Sequence, residues 1–179
     1  MAFRISVFHG ESILGIEASS SNPQLMAIGE CGFDKIKGPE PKVQMKAFEA
    51  QAQLAKKIGI PLILHCVKGT HLLQEYLKNH PEPPTIIWHG FNQNPQIAEK
   101  LLFFPIYFSF GKAILKQNSN AQQWIEKCPL EKIFFETDHS DIPISEIYQQ
   151  ASLLLGLSTM QLADQVMENW NRISNRKMT

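Results

Sequence analysis

The chain has 179 residues, 44% of them hydrophobic, and its 17 Lys+Arg balance 17 Asp+Glu. That length and apolar content suit a single globular domain over 1–179 and exclude a disordered chain. The charge balance excludes a broad basic face, so any nucleic acid would be met only locally.

In chain order, runs rich in β-branched and aromatic residues predict strands at Ile5–Phe8, Leu25–Gly29, Pro61–Leu64, Thr85–Trp88, Ile106–Phe110 and Ile133–Phe135. Helical periodicity fills the intervals. Val43–Ile58 sets Ala47, Phe48, Leu54, Ala55 and Ile58 on one stripe, with Gly59 as its stop. Thr70 is placed to cap a helix that buries Leu72, Leu73, Tyr76 and Leu77. Asn94-Pro95 opens another, with Ile97, Ala98, Leu101 and Leu102 inward. A further helix runs from Pro143 to Gly156, and a capping box from Ser158 to Gln161 starts the last, which buries Leu162, Val166 and Trp170.

Alternating strands and helices give an α/β fold with a parallel sheet, either doubly wound or a closed (β/α)8 TIM barrel. "GECGFD" (Gly29–Asp34) is no GxGxxG phosphate loop, and the placement of polar residues favours the barrel. Apolar runs lead straight into Glu30, His65, His89 and Asp138. In a parallel barrel the C-terminal strand ends gather at one mouth, so four residues distant in sequence converge. Carboxylates beside neutral imidazoles suit Mg²⁺, Mn²⁺ or Zn²⁺, one ion or two, and a hydrolytic site. Each residue alone has a plainer reading: a hydrogen-bonded structural His, Glu30 as a helix cap, Asp138 capping the turn before Pro143. Period-2 alternation turns Cys31 and Cys66 away from the mouth, as small buried hydrophobes.

Three cysteines without a CxxC suggest a reducing, cytoplasmic setting. The N-terminal residues lack a signal-peptide pattern, and no apolar run approaches the roughly 20 residues of a membrane span, so no membrane partner is expected.

"AIGECGFDK", "PLILHC", "IIWHGF", "YFSFG" and "FFETD" follow one another over about Val7 to Ile173. In these pieces the chain resembles the TatD family, metal-dependent hydrolases of the amidohydrolase-like (β/α)8 barrel class, and most closely its shorter bacterial members. The resemblance implies hydrolysis of phosphoester bonds, as in deoxyribonucleases acting on DNA 3′ ends, with an activated water as nucleophile and DNA or a small phosphoester as substrate. It implies that Glu30 bridges two metals, that His65 and His89 bind one, and that Asp138 binds the other and takes the proton from the attacking water. Glu30 and Asp138 are then the catalytic pair, Lys68 is a candidate phosphate contact, and His9 and His139 are candidates to face substrate. Glu136 falls on the strand face of Asp138 as a second-layer partner, and Asp34 either orients the bridging acid or is a turn residue.

The family opens with an H-x-H pair that this chain lacks. "ISVFH" looks like the second barrel strand, so the barrel is expected to lack its first βα unit, with the ion nearest Asp138 weakly held. Two alternatives follow: a truncated, non-catalytic scaffold that binds at most one ion, and an amidohydrolase-like lactone or amide hydrolase. A missing strand would leave sheet edges for homo-oligomerisation to cover.

Overall fold

The computed structural model describes residues 22, 24–138 and 140–178. The expected strand at Ile5–Phe8 lies outside them, as do His9 and His139. Strands β1 (Ile28–Asp34), β2 (Leu62–Val67), β3 (Ile86–Trp88), β4 (Ile106–Phe110) and β5 (Ile133–Phe135) lie in one sheet in chain order. Helices α1 (Pro41–Ile58), α2 (Thr70–Asn79), α3 (Pro95–Leu101), α4 (Asn120–Ile125), α5 (Ile144–Leu155) and α6 (Thr159–Ile173) alternate with them until the last two follow β5 together. β1 pairs with β2, and β4 with β5, in parallel, each pair joined by the helical crossover that parallel pairing requires.

Two compact units can be distinguished. One comprises the described residues up to Ile87 together with Ile173–Arg176. Here α1 starts with Pro41 at its first turn and stops at Gly59, whose φ of 74° is left-handed. It buries Gln44, Phe48, Ala52, Leu54 and Ala55, whereas the expected Ala47 is exposed and Ile58 half-buried. Phe48 packs between Phe33 of β1 and Tyr76 of α2, each ring pair 4.8 Å apart. Full burial of such a ring contributes about 3 kcal/mol. α2 buries Leu72, Leu73, Tyr76 and Leu77 as its periodicity predicts. Its cap differs from expectation: Gly69 holds that position, with no side-chain cap, and Thr70 is already helical.

The second unit comprises Trp88–Arg172 with residues 177 and 178. The Asn94 side chain accepts a hydrogen bond from the Gln96 N–H, so the predicted cap forms. Ser158 and Gln161 form the capping box, each side chain accepting from the other's N–H at 3.2 and 2.9 Å. Pro143 precedes α5 and a left-handed Gly156 ends it. Phe91, Phe108 and Trp124 stack edge to face in the core. Fully buried Asn169 donates to the carbonyls of Leu130 and Ile133, pinning the entry of β5 to α6.

Candidate metal centre

Strand boundaries change where two expected ligands stand. Glu30 and His65 were expected at strand ends, but both lie within strands, because β1 runs on to Asp34 and β2 to Val67. His89 follows β3 directly, and Asp138 comes three residues after Phe135. Glu30 occupies a break in the ladder. Ile28 pairs with Leu62 and Cys31 with Leu64, so β1 carries one residue more than β2 across this interval. A bulge of this kind re-aims a side chain and is frequent beside active sites.

A Glu30 carboxylate oxygen and a His65 ring nitrogen lie within 4.8 Å of one another. Gly32 is opposite His65 in register. A Cβ on Gly32 would overlap the His65 carbonyl oxygen and sit 2.7 Å from Leu64 Cδ1. With φ at +148° as well, only glycine fits this close approach of β1 to the strand of His65. The flanking Cys31 and Cys66 are buried and free. Burial, then the charge of Glu30, pushes the Cys31 thiol far up, and burial pushes Cys66 to about 11. Both are inert apolar fillers, as the alternation predicts.

Asp34 closes β1 as the turn residue of its two expected readings, and its second oxygen faces His65 instead of the bridging acid. Its Oδ1 accepts from the N–H groups of Ile36 and Lys37 at 2.7 and 2.9 Å, making a tight turn. Its Oδ2 lies 3.5 Å from His65 Nε2. The main-chain donors, Lys37 first, hold its carboxyl below the ordinary value. Lys68 is exposed in the next turn, with φ of 54° and a main-chain bridge to Asp34.

In the other unit, His89, Glu136 and Asp138 each place a donor atom within 4.8 Å of the others. The turn after β3 explains His89. Gly90 has φ of 59°, and Phe91 returns beneath it to pack on Trp88 at 5.1 Å. Glu136 continues the β4–β5 ladder through its N–H to the Phe110 carbonyl. Its Oε1 accepts from the Gly90 N–H at 2.6 Å and lies 3.7 Å from His89 Nδ1. Glu136 therefore braces both the loop and the ring of His89. Asp138, exposed and with φ of 39°, sits in a turn where the Thr137 carbonyl accepts from Ser140. Glu136 stands against His89 as a second-layer partner, but β5 ends at Phe135 and Asp138 lies in a turn, so the two do not share the strand face expected of them.

Gln44 is the residue the sequence reading missed. Its signal is a polar side chain on an apolar helical stripe. The donor set is imidazole nitrogen and carboxylate oxygen throughout, which fits a divalent ion of the Mg²⁺, Mn²⁺ or Zn²⁺ kind.

The sequence matches the family described as TatD related DNase over residues 8–173. It is 31% identical over 125 residues to the uncharacterized metal-dependent hydrolase YjjV of Escherichia coli, covering 68% of this chain and 48% of that protein. It is 39% identical over 141 residues to the 3′-5′ ssDNA/RNA exonuclease TatD of Erwinia billingiae, covering 74% and 52%. The chain thus spans about half the length of these curated relatives. The crystal structure of E. coli YjjV, a TatD homologue, superposes with a TM-score of 0.75 at 24% identity, over 92% of this chain and 71% of that one. A TatD-family hydrolase from Entamoeba histolytica gives 0.74 at 14%, over 92% and 68%. These structural likenesses carry the fold, an α/β architecture of the TIM-barrel-like kind. With the family match running along almost the whole described sequence, the chain belongs to the TatD family.

Proposed function

We propose that the chain is a metal-dependent phosphoesterase of the nuclease type, acting on the 3′ ends of single-stranded DNA or RNA, as the names of its exonuclease relatives suggest. Glu30, His65 and His89 hold one divalent ion, and Asp138 takes part beside His89. The observation that carries this reading is the group of His89, Glu136 and Asp138 at mutual donor distances within 4.8 Å. The Glu30–His65 pair, with donor atoms within 4.8 Å of one another, supports it.

When bound, the ion supplies Lewis acidity toward a phosphoryl oxygen and lowers the pKa of a water. The protein's own groups do the rest. Asp138, exposed at its turn, receives the proton of the attacking water. Glu136 holds the His89 loop. Lys68, exposed beside Asp34, contacts a phosphate. No helix among the described residues is long and apolar enough to cross a membrane, and the three free cysteines favour a reducing, cytoplasmic setting for the reaction. Residues 1–179 act as one TatD-like domain in this reading.

The test is release of mononucleotides from 3′-labelled single-stranded DNA with Mg²⁺, Mn²⁺ or Zn²⁺ added to metal-stripped protein. Turnover that depends on the ion and falls in Asp138→Asn is expected. Folded protein that turns over no phosphoester with any ion is a scaffold instead. Activity on lactones or amides alone would point to another amidohydrolase-like reaction.

A further inference from the structure

Gln44 is only 7% exposed, and both ends of its amide act on one residue. Its Oε1 accepts from the Asp34 N–H at 2.7 Å, and its Nε2 donates to the Asp34 carbonyl at 3.0 Å. The same Nε2 donates to the Pro39 carbonyl, and the Gly38 N–H also donates to the Asp34 carbonyl at 3.0 Å. Gly38 has to be glycine here, since a Cβ would overlap the Asp34 carbonyl oxygen and press on Gln44 Nε2. The Asp34 main chain is thus held on both sides. Its Oδ1 is taken by the Ile36 and Lys37 N–H groups, which fixes the carboxylate's rotation and turns Oδ2 toward His65 Nε2 at 3.5 Å.

A carboxylate only accepts hydrogen bonds, so the ring nitrogen it faces carries the proton of a neutral imidazole. The other nitrogen keeps its lone pair for an ion. We propose that Gln44 is a positioning residue for the metal centre: by clamping Asp34 it holds His65 as the Nε2–H tautomer, with Nδ1 offered to the ion. This rests on the reading of His65 as a ligand.

Nitrogen spectra of ¹⁵N-histidine-labelled, metal-free protein read the tautomer without any ion present. The wild type is expected to show His65 as Nε2–H. Gln44→Met, similar in volume but unable to hold Asp34, is expected to show a mixture. Asp34→Asn keeps the Oδ1 turn and presents an amide N–H to the ring, so it is expected to shift His65 toward Nδ1–H. Calorimetric titration with Mn²⁺ is expected to show at least about a tenfold loss of affinity in both variants. A wild-type Nδ1–H ring, or a folded Gln44→Met with wild-type tautomer and affinity, overturns the proposal. If Gln44→Met fails to fold, Asp34→Asn decides. If the tautomer shifts as stated but the wild type takes up no Mn²⁺, the positioning of His65 stands and the metal reading alone fails.

Discussion

Replacing Glu136 separates its two tasks. Its Oε1 accepts from the Gly90 N–H at 2.6 Å, and the same oxygen stands 3.7 Å from His89 Nδ1. The side chains of His89 and Glu136 are only 12% and 17% exposed, so solvent replaces neither contact well. A hydrogen bond to a charged acceptor contributes about 1.5–3 kcal/mol, and a neutral acceptor gives roughly half of that. Glu136→Gln keeps the shape and one acceptor oxygen, and is expected to lose about 1 kcal/mol of unfolding free energy. Glu136→Ala removes the acceptor and the brace on His89, and about 2–3 kcal/mol should go. Metal affinity should fall in the same order, by roughly 10- to 100-fold for a lost partner of a ligating histidine. Urea unfolding gives the first quantity and calorimetric titration with Mn²⁺ the second. A Glu136→Ala protein with wild-type stability and wild-type Mn²⁺ affinity would refute the assigned role.

Gly32→Ala forces a Cβ into the His65 carbonyl at a φ of +148°, and the overpacking and backbone strain together should cost about 3–5 kcal/mol. A urea midpoint within error of wild type would show that β1 and β2 do not approach so closely. Burial, then the charges of Glu49 and Cys31, pushes Tyr76 up to about 12. The phenol is therefore favoured neutral in the fold. Its contribution to stability is whole below the unfolded value near 10 and is lost as pH rises through about 12. Unfolding measured from pH 9 to 12 should fall more steeply in wild type than in Tyr76→Phe, and equal slopes would contradict this. Saturating Zn²⁺ or Mn²⁺ should raise the thermal midpoint of metal-stripped protein, by mass action on the folded state. An unchanged midpoint at concentrations far above the expected affinity would count against a preformed centre.

The fold was legible where local chemistry speaks for itself. Asn94-Pro95, the Ser158–Gln161 box and the glycines at 59 and 156 each mark a helix end by a mechanism confined to a few residues. Thr70 misled because Gly69 met the geometric need of that helix start without any side-chain hydrogen bond. The length of β1 was hidden for another reason. Glycine and acidic residues at 29–34 look like a turn, whereas the bulge and the close approach at Gly32 make them a strand against β2. Ligand types could be read from the residues following each apolar run. What braces them was legible only in part: Glu136 was expected as a second-layer partner, but its bond to Gly90 and that of Gln44 to Asp34 arise only through tertiary packing. A polar residue on a buried stripe was the available clue at Gln44, as it was at Asn169.

Calorimetric titration of chelator-treated wild type beside Glu30→Gln, His65→Asn and His89→Asn, each with its fold verified, tests the metal centre most directly. Wild type is expected to bind Mn²⁺ or Zn²⁺, and each substitution to weaken that binding by about tenfold or more. Folded wild type that takes up neither ion, or three variants that bind as wild type does, would contradict a centre built on these residues.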